Sequence, residues 1–299
     1  MEIFHRIWAD VKRNPQFRAA IDRLQFPYQY TDDIVGKHIY FEISENHPLW
    51  PQIRELAARY DAFRPRDIRV QYSREDIAGA AWLSIGATRF RGYPQPEADY
   101  HYQVYDPNGY CDRCEIRTSQ RAPFRFRSEP KGRDSFLQLN WVFDEFFVRP
   151  EVRELFDGAG VSGVDYGPCI HHSSGRRLES LNQLLVLTVL PPGLVTTELN
   201  TVTCQPNNEE GPAKSYGSRL RYSDDYPYCG RVKYHWPLLG QTYAAEIFGD
   251  APDIVKSHEW FGSGGSASRE VLVSQKVCRL IMDNKLRGLS LAPVALRGS

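Results

Sequence analysis

The chain has 299 residues, of which 41% are apolar and 25% charged, a balance that supports a packed core and excludes long disorder. Its 37 Lys and Arg are matched by 37 Asp and Glu, so it lacks the positive surplus that binding to nucleic acid or to an anionic membrane draws on. Residues 1–25 mix acids and bases without the apolar run of a signal peptide. The longest apolar run, 184–190, is far too short to span a bilayer, so the expected location is the cytoplasm, where its six cysteines stay reduced.

Ile7, Val11, Phe17, Ala20, Ile21 and Leu24 recur near three and four apart, which predicts helix through this stretch with an interruption at Asn14-Pro15. Residues 38–44 (HIYFEIS) are rich in β-formers and read as a strand. A helix follows, with Leu49, Ile53, Leu56 and Ala57 as its apolar stripe through Tyr60. Residues 68–72 form a second predicted strand. Ser73, three residues before Asp76, has the spacing of a capping box for a short helix, and 82–88 reads as a strand. A further strand is predicted at 100–105, leading into the turn Asp106-Pro107-Asn108-Gly109. Residues 122–127 alternate apolar and basic. Residues 136–147 are mostly apolar and expected to be buried, and 183–190 reads as a buried strand ended by Pro191-Pro192. Residues 205–230 are polar and rich in Gly, Pro and Ser, the composition of a long loop or linker.

Sliding the sequence on itself aligns 145–168 with 270–293 without a gap. Glu145/Glu270, Val148/Val273, Val152/Val277, Leu155/Leu280, Gly163/Gly288 and Pro168/Pro293 are identical. Each copy reads as a β–α–β unit. The helix starts near Pro150 in one and after Ser274 as N-cap in the other. The apolar faces are Val152, Leu155 and Phe156 in the first copy, and Val277, Leu280 and Ile281 in the second. Duplication and convergence on a common unit both produce such a match. The fold class that follows is α+β, with mixed sheets, packed helices and two similar β–α–β-containing halves. The expected divisions are an α+β region at 1–130, the first β–α–β unit with following strands at 131–204, the loop or linker at 205–230, and the second unit at 231–299.

Cys111-x-x-Cys114 follows the predicted turn, and two thiolates at that spacing reach one tetrahedral ion as a zinc knuckle does. The third ligand expected is Cys204, at the end of a β-rich stretch, and the fourth is open between His235 and Cys229. Position 207, where a second C-x-x-C would close, is Asn. Any metal held by Cys111, Cys114 and Cys204 is expected to be a closed, structural zinc ion. Cys169, His171 and His172 are further ligand candidates, although Ser173-Ser174-Gly175 after the histidines reads as a turn. The Gly262–Ser266 loop lacks the Lys of a P-loop and the spacing of a nucleophile elbow, and reads as a mobile loop or a hairpin turn.

The segments YCDRCEIRTSQRAPFRFRSEPK and LNWVFDEFFV, the Cys204 region and the C-terminal EWFGSGGSASREVLVSQKVCRLIMDNKLRGLSLAPV together resemble bacterial double-CXXCG motif proteins. They also resemble immunity-type families of polymorphic toxin systems, through Ser274, Gly288, Pro293 and Val294. The likeness covers about the last two-thirds of the chain. It implies a cytosolic bacterial protein that binds and neutralises a protein toxin. The sequence departs from the pattern at Glu115, which stands where Gly follows the first pair, and in a second pair reduced to Cys204.

Two functions are therefore weighed. One is a non-catalytic, immunity-type protein-binding protein, consistent with the lack of a complete catalytic motif and with abundant aromatic side chains that make interface anchors. The other is a zinc-dependent hydrolase, which needs Cys/His ligands, an open coordination position and a nearby acid such as Glu259.

Overall fold

A computed structural model describes residues 1–299 apart from 34–35, 110, 112–113, 115, 197–198, 206–227 and 299; for 33, 63–66 and 265 it describes the backbone alone. Most of the expected loop at 205–230 lies outside the described residues, as do Glu115 and Asn207. Residues 1–77 and 78–299 form two compact units, so position 130 falls inside the second.

The first unit contains β1 (Glu2–Asp10), α1 (Pro15–Arg23), β2 (Gln29–Asp33), β3 (Gly36–Ser44), α2 (Trp50–Arg59) and β4 (Phe63–Gln71). Its strands form an antiparallel sheet in the order β2-β3-β1-β4. The helix expected from Ile7 onward begins only at Pro15. Before it, His5, Ile7 and Ala9 are buried alternately, the period-two signature of a half-buried strand, and the spacing from Ile7 to Val11 is a coincidence across the strand end. Phe17 and Ile21 from α1 and Trp50, Ile53 and Ala57 from α2 bury against Ile7, Ile39, Phe41 and Ile43 of the sheet. The expected capping box is present at α3 (Arg74–Gly79). The Ser73 amide donates to Asp76 Oδ2 (2.8 Å), and the Asp76 amide donates to Ser73 Oγ (3.1 Å).

The second unit begins with β5 (Trp82–Ala87) and α4 (Tyr100–Val104). The latter corrects the strand expected at 100–105. Tyr100 and Val104 are buried four residues apart on one helical face, so the aromatic run that suggested β-structure is packed at helical spacing. Next come β6 (Arg125–Phe126), β7 (Phe136–Leu137), β8 (Phe146–Val148), α5 (Pro150–Gly158), β9 (Val164–His171) and β10 (Arg177–Val186). The remaining elements are β11 (Thr201–Thr203), β12 (Val232–Tyr234), β13 (Thr242–Ala244), β14 (Ile254–Phe261), β15 (Ser268–Ser274), α6 (Gln275–Asp283), β16 (Leu289–Pro293) and β17 (Ala295–Arg297). The sheets run β6-β9-β10-β8-β7 and β11-β12-β14-β15-β5-β16, with β13 and β17 as a separate pair. Antiparallel and mixed sheets with packed helices make the fold α+β. Most of 136–147 is buried as expected, but Trp141 and Phe143 are exposed, and the strand expected at 183–190 ends at Val186, with Leu187 and Val189 exposed.

Both aligned segments are strand–helix–strand, and the likeness extends well past them. In the first half β10 lies antiparallel between β8 and β9; in the second, β5 lies antiparallel between β15 and β16. Gln183 pairs with Phe147 and Gly167, and Ser84 with Leu272 and Ala292, each partner displaced by the same 125 residues. The next strand out also matches: Phe136 faces Val148 as Ile254 faces Val273. Two four-stranded blocks, β9-β10-β8-β7 and β16-β5-β15-β14, therefore share one register. The chain enters the middle strand after the β–α–β unit in one half and before it in the other, a circular permutation.

Contacts between the halves are reciprocal, as at an isologous two-fold interface. The Ile254 amide donates to Ser162 O (3.2 Å) and the Phe136 amide to Arg287 O (3.0 Å). Within each half the match also holds: the Leu187 amide donates to Gly163 O (2.9 Å) as the Thr88 amide does to Gly288 O (3.0 Å). Val277, Cys278 and Ile281 form the buried face of α6, while Leu280, expected in the core, is half-buried, as is its counterpart Leu155. Ile281→Ala should cost roughly 2–5 kcal/mol as a large-to-small core change. Leu280→Ala should cost clearly less, and chemical denaturation of the two variants checks the assigned face.

Candidate metal centre

The described residues between 106 and 119 pair across as a ladder. The Asp106 amide donates to Ser119 O (2.8 Å), Thr118 to Gly109 O (3.0 Å), and Cys111 to Ile116 O (3.0 Å). The turn at its base is the one expected: the Asn108 amide donates to Asp106 Oδ1 (2.8 Å) and the Gly109 amide to Asp106 O (3.0 Å). Cys111 and Cys114 lie at its far end, their sulfurs within 4.8 Å of each other.

A second pair of thiols faces them. Cys204 follows β11, and β11 pairs antiparallel with β12. The Cys204 amide donates to Arg231 O (3.0 Å), and the Gly230 amide donates back to Cys204 O (3.1 Å). This pairing holds Cys229 beside Cys204, although 24 residues separate them in the chain. Gly230, directly after Cys229, takes φ +67°, the left-handed conformation that glycine adopts most readily.

The four Sγ atoms lie within 4.8 Å of one another. Cys111 Sγ is 3.9 Å from Cys204 Sγ, and Cys114 Sγ is 3.7 Å from Cys229 Sγ. A tetrahedral ion with bonds near 2.3 Å requires sulfurs about 3.8 Å apart, so the four residues can hold a metal ion. Cys111, Cys114 and Cys204 are buried with Ile116, Trp260 and Ala267, and Cys229 is exposed. Arg231 and Arg269 lie over the Trp260 ring, at 5.3 and 5.0 Å from its centroid. The hydrogen bond from Cys111 and burial push the Cys114 thiol up, and burial pushes Cys204 up to about 11. A bound cation reverses that penalty, because a coordinating thiol is deprotonated outright.

The structure thus brings Cys111, Cys114 and Cys204 together and adds Cys229 as the fourth member; His235 is not in the cluster. The other sequence candidates lie elsewhere. Cys169 is fully buried on β9 among Tyr100, Phe124 and Phe147, and burial pushes its thiol up. His171 caps the β9–β10 turn, its Nδ1 2.9 Å from Ser174 Oγ. Gly264–Ser266 forms a helical turn between β14 and β15. Glu259 Oε1 accepts the amides of Gly193 (2.9 Å) and Leu194 (3.0 Å), so this carboxylate anchors a loop. Among the described residues, no helix is long and apolar enough to cross a membrane. No protein-family model matches the chain, and no curated protein matches it.

Proposed function

We propose that the chain is a non-catalytic protein-binding protein whose four-cysteine centre holds a structural zinc ion, and that its partner is a protein toxin, as the immunity-type resemblance implies. The observation that carries this reading is the all-thiolate shell. Four cysteines satisfy a tetrahedral zinc ion completely, whereas catalytic zinc sites keep three protein ligands and an open position for water. The bound ion supplies folding energy: it ties the 106–119 ladder to the β11–β12 pair and clamps the base of the long segment between Cys204 and Cys229. The second cysteine pair of the double-CXXCG pattern is then Cys204 with Cys229-Gly230, split by an insertion. A reducing cytoplasm suits six cysteines that form no disulfide.

The test has two stages. Protein purified without chelator should contain about one zinc per chain by elemental analysis, the count that a single four-ligand site takes. Cross-linking capture from the source cell should then yield a protein that arrests bacterial growth when expressed alone, with growth restored on co-expression of this chain. Zinc-dependent turnover of an ester, peptide or phosphate substrate by the purified protein would overturn the reading in favour of a hydrolase.

A further inference from the structure

The two halves carry equivalent buried carboxylates, Glu145 and Glu270, but they are treated differently. Glu145 accepts Gln183 Nε2 (3.0 Å), and its Oε1 is 2.6 Å from Lys256 Nζ, which also approaches Asp144 (3.4 Å). Glu270 accepts hydrogen bonds from Ser84, the register counterpart of Gln183, and from the Tyr243 hydroxyl (3.0 Å). The position matching Lys256 is Gln138. Val189 bridges to Lys256 just as Phe90 bridges to Gln138, and the Leu190 and Arg91 amides donate to the Lys256 and Gln138 carbonyls. Gln138 Nε2 donates to Phe143 O (2.8 Å) instead of to a carboxylate. Glu145 therefore has an ammonium partner supplied across the junction by β14, and Glu270 has none from the matching position just after β7.

Beside Glu270 lies a cavity of about 500 Å³, lined by Gln138 and Ser84 and carrying Phe90, Phe143 and Trp236. All three aromatic rings are exposed to solvent. The matching cavity beside Glu145 measures about 300 Å³ and is lined by Lys256. We propose that the Glu270 cavity binds a small ligand through a protonated primary amine, which takes the place that the Lys256 ammonium fills beside Glu145. The amine's carbon chain would lie against the aromatic rings, which favour both apolar and cationic groups.

The charges around the site fit this assignment. Burial raises the Glu270 carboxyl to about 7, with the Glu259 carboxylate adding to the rise and the Ser84 and Tyr243 hydroxyls opposing it. Among the described residues Glu270 has no ion-pair partner. Arg269 also lines the cavity, but its guanidinium donates to Ser257 O (3.2 Å) and lies over Trp260. A cation in the cavity stabilises the ionised carboxylate, so binding releases a proton near neutral pH and weakens as Glu270 is protonated.

Calorimetric titration with n-butylammonium tests the proposal. At about pH 8 the expected result is saturable binding with Kd on the order of 1 mM, a magnitude that good contacts allow for so small a ligand. Binding of 1-butanol, which lacks the charge, should be at least about tenfold weaker. At about pH 5 the amine stays protonated while Glu270 does not stay ionised, so the wild-type affinity should fall at least about tenfold. Gln138→Lys installs the internal ammonium and should abolish uptake, as should Glu270→Gln. An N-acetyl-lysine amide that binds as well as butylammonium would make a protein lysine the source of the amine; preference for butylammonium would make it a free amine. Lack of saturation up to about 50 mM, far above the Kd that the contacts allow, would overturn the proposal. So would an affinity unchanged by pH and by Gln138→Lys.

Discussion

Replacing Cys111 and Cys114 by serine should release the metal and lower the melting temperature of the protein by more than about 10 °C. Structural zinc binding contributes about 10–16 kcal/mol in small zinc-dependent peptides, and binding free energy of this kind is folding free energy. Here the ladder at 106–119 and the β11–β12 pair retain their own hydrogen bonds without metal, so only part of that energy is at stake. A loss of about 5 kcal/mol corresponds to a shift of roughly 10–20 °C in a domain the size of residues 78–299. Cys204→Ser and Cys229→Ser should act through the same ion, so adding either to the double variant should cost little more. The thiolates must lose protons to bind, and burial with neighbouring thiols holds Cys114 and Cys204 above their ordinary values. Metal should therefore be stripped more readily by chelator as the pH falls from about 8 to about 6. Melting curves and metal content measured on the same samples check this. A melting temperature within about 1 °C of wild type in the double variant would mean that the centre holds no structural ion, since the loss expected above is several times larger.

The parts of this fold that could be read in the sequence are those fixed by neighbours along the chain. The run of β-formers at 38–44 marks β3, where Ile39, Phe41 and Ile43 are buried on one face, and Ser73 with Asp76 marks the start of α3 through two local hydrogen bonds. The paired glycines at 163 and 288 gave away the two halves. Where local preference competes with tertiary packing, the reading fails. Tyr100 to Tyr105 are good β-formers, yet Tyr100 and Val104 face one core and the segment closes as a helical turn. The four-cysteine cluster was half legible for the same reason. Cys111 and Cys114 lie on one ladder, whereas Cys229 reaches Cys204 through the β11–β12 pairing across 24 intervening residues. The contrast between Lys256 and Gln138 was invisible in the sequence, because it exists only once two circularly permuted blocks are laid in the same register.

Gly288→Ala should destabilise the protein by roughly 3 kcal/mol or more, and Gly163→Ala by a similar amount. Both glycines sit between the helix and second strand of their halves, at φ +100° and +88°. Holding an L-residue in the left-handed region costs about 1–2 kcal/mol, but the larger part comes from the other half. A Cβ at Gly288 would collide with the carbonyl of Phe136, and a Cβ at Gly163 with the carbonyl of Ile254. These carbonyls begin β7 and β14, the equivalent outer strands, so relieving the clash means separating the two blocks where the Phe136 and Ile254 amides are bound. Gly160 supplies the control. Its φ is +60°, nothing would meet a Cβ there, and its counterpart in the second half is Lys285 at φ +53°, so the fold already accepts a side chain in that place. Gly160→Ala should cost only about 1 kcal/mol, the backbone contribution alone. Urea denaturation of the three variants separates the contributions. Gly163→Ala and Gly288→Ala should stand together well above Gly160→Ala if the halves meet through equivalent contacts. A Gly288→Ala variant within about 0.5 kcal/mol of wild type, the range of ordinary surface changes, would show that the junction yields and is not a rigid two-fold contact.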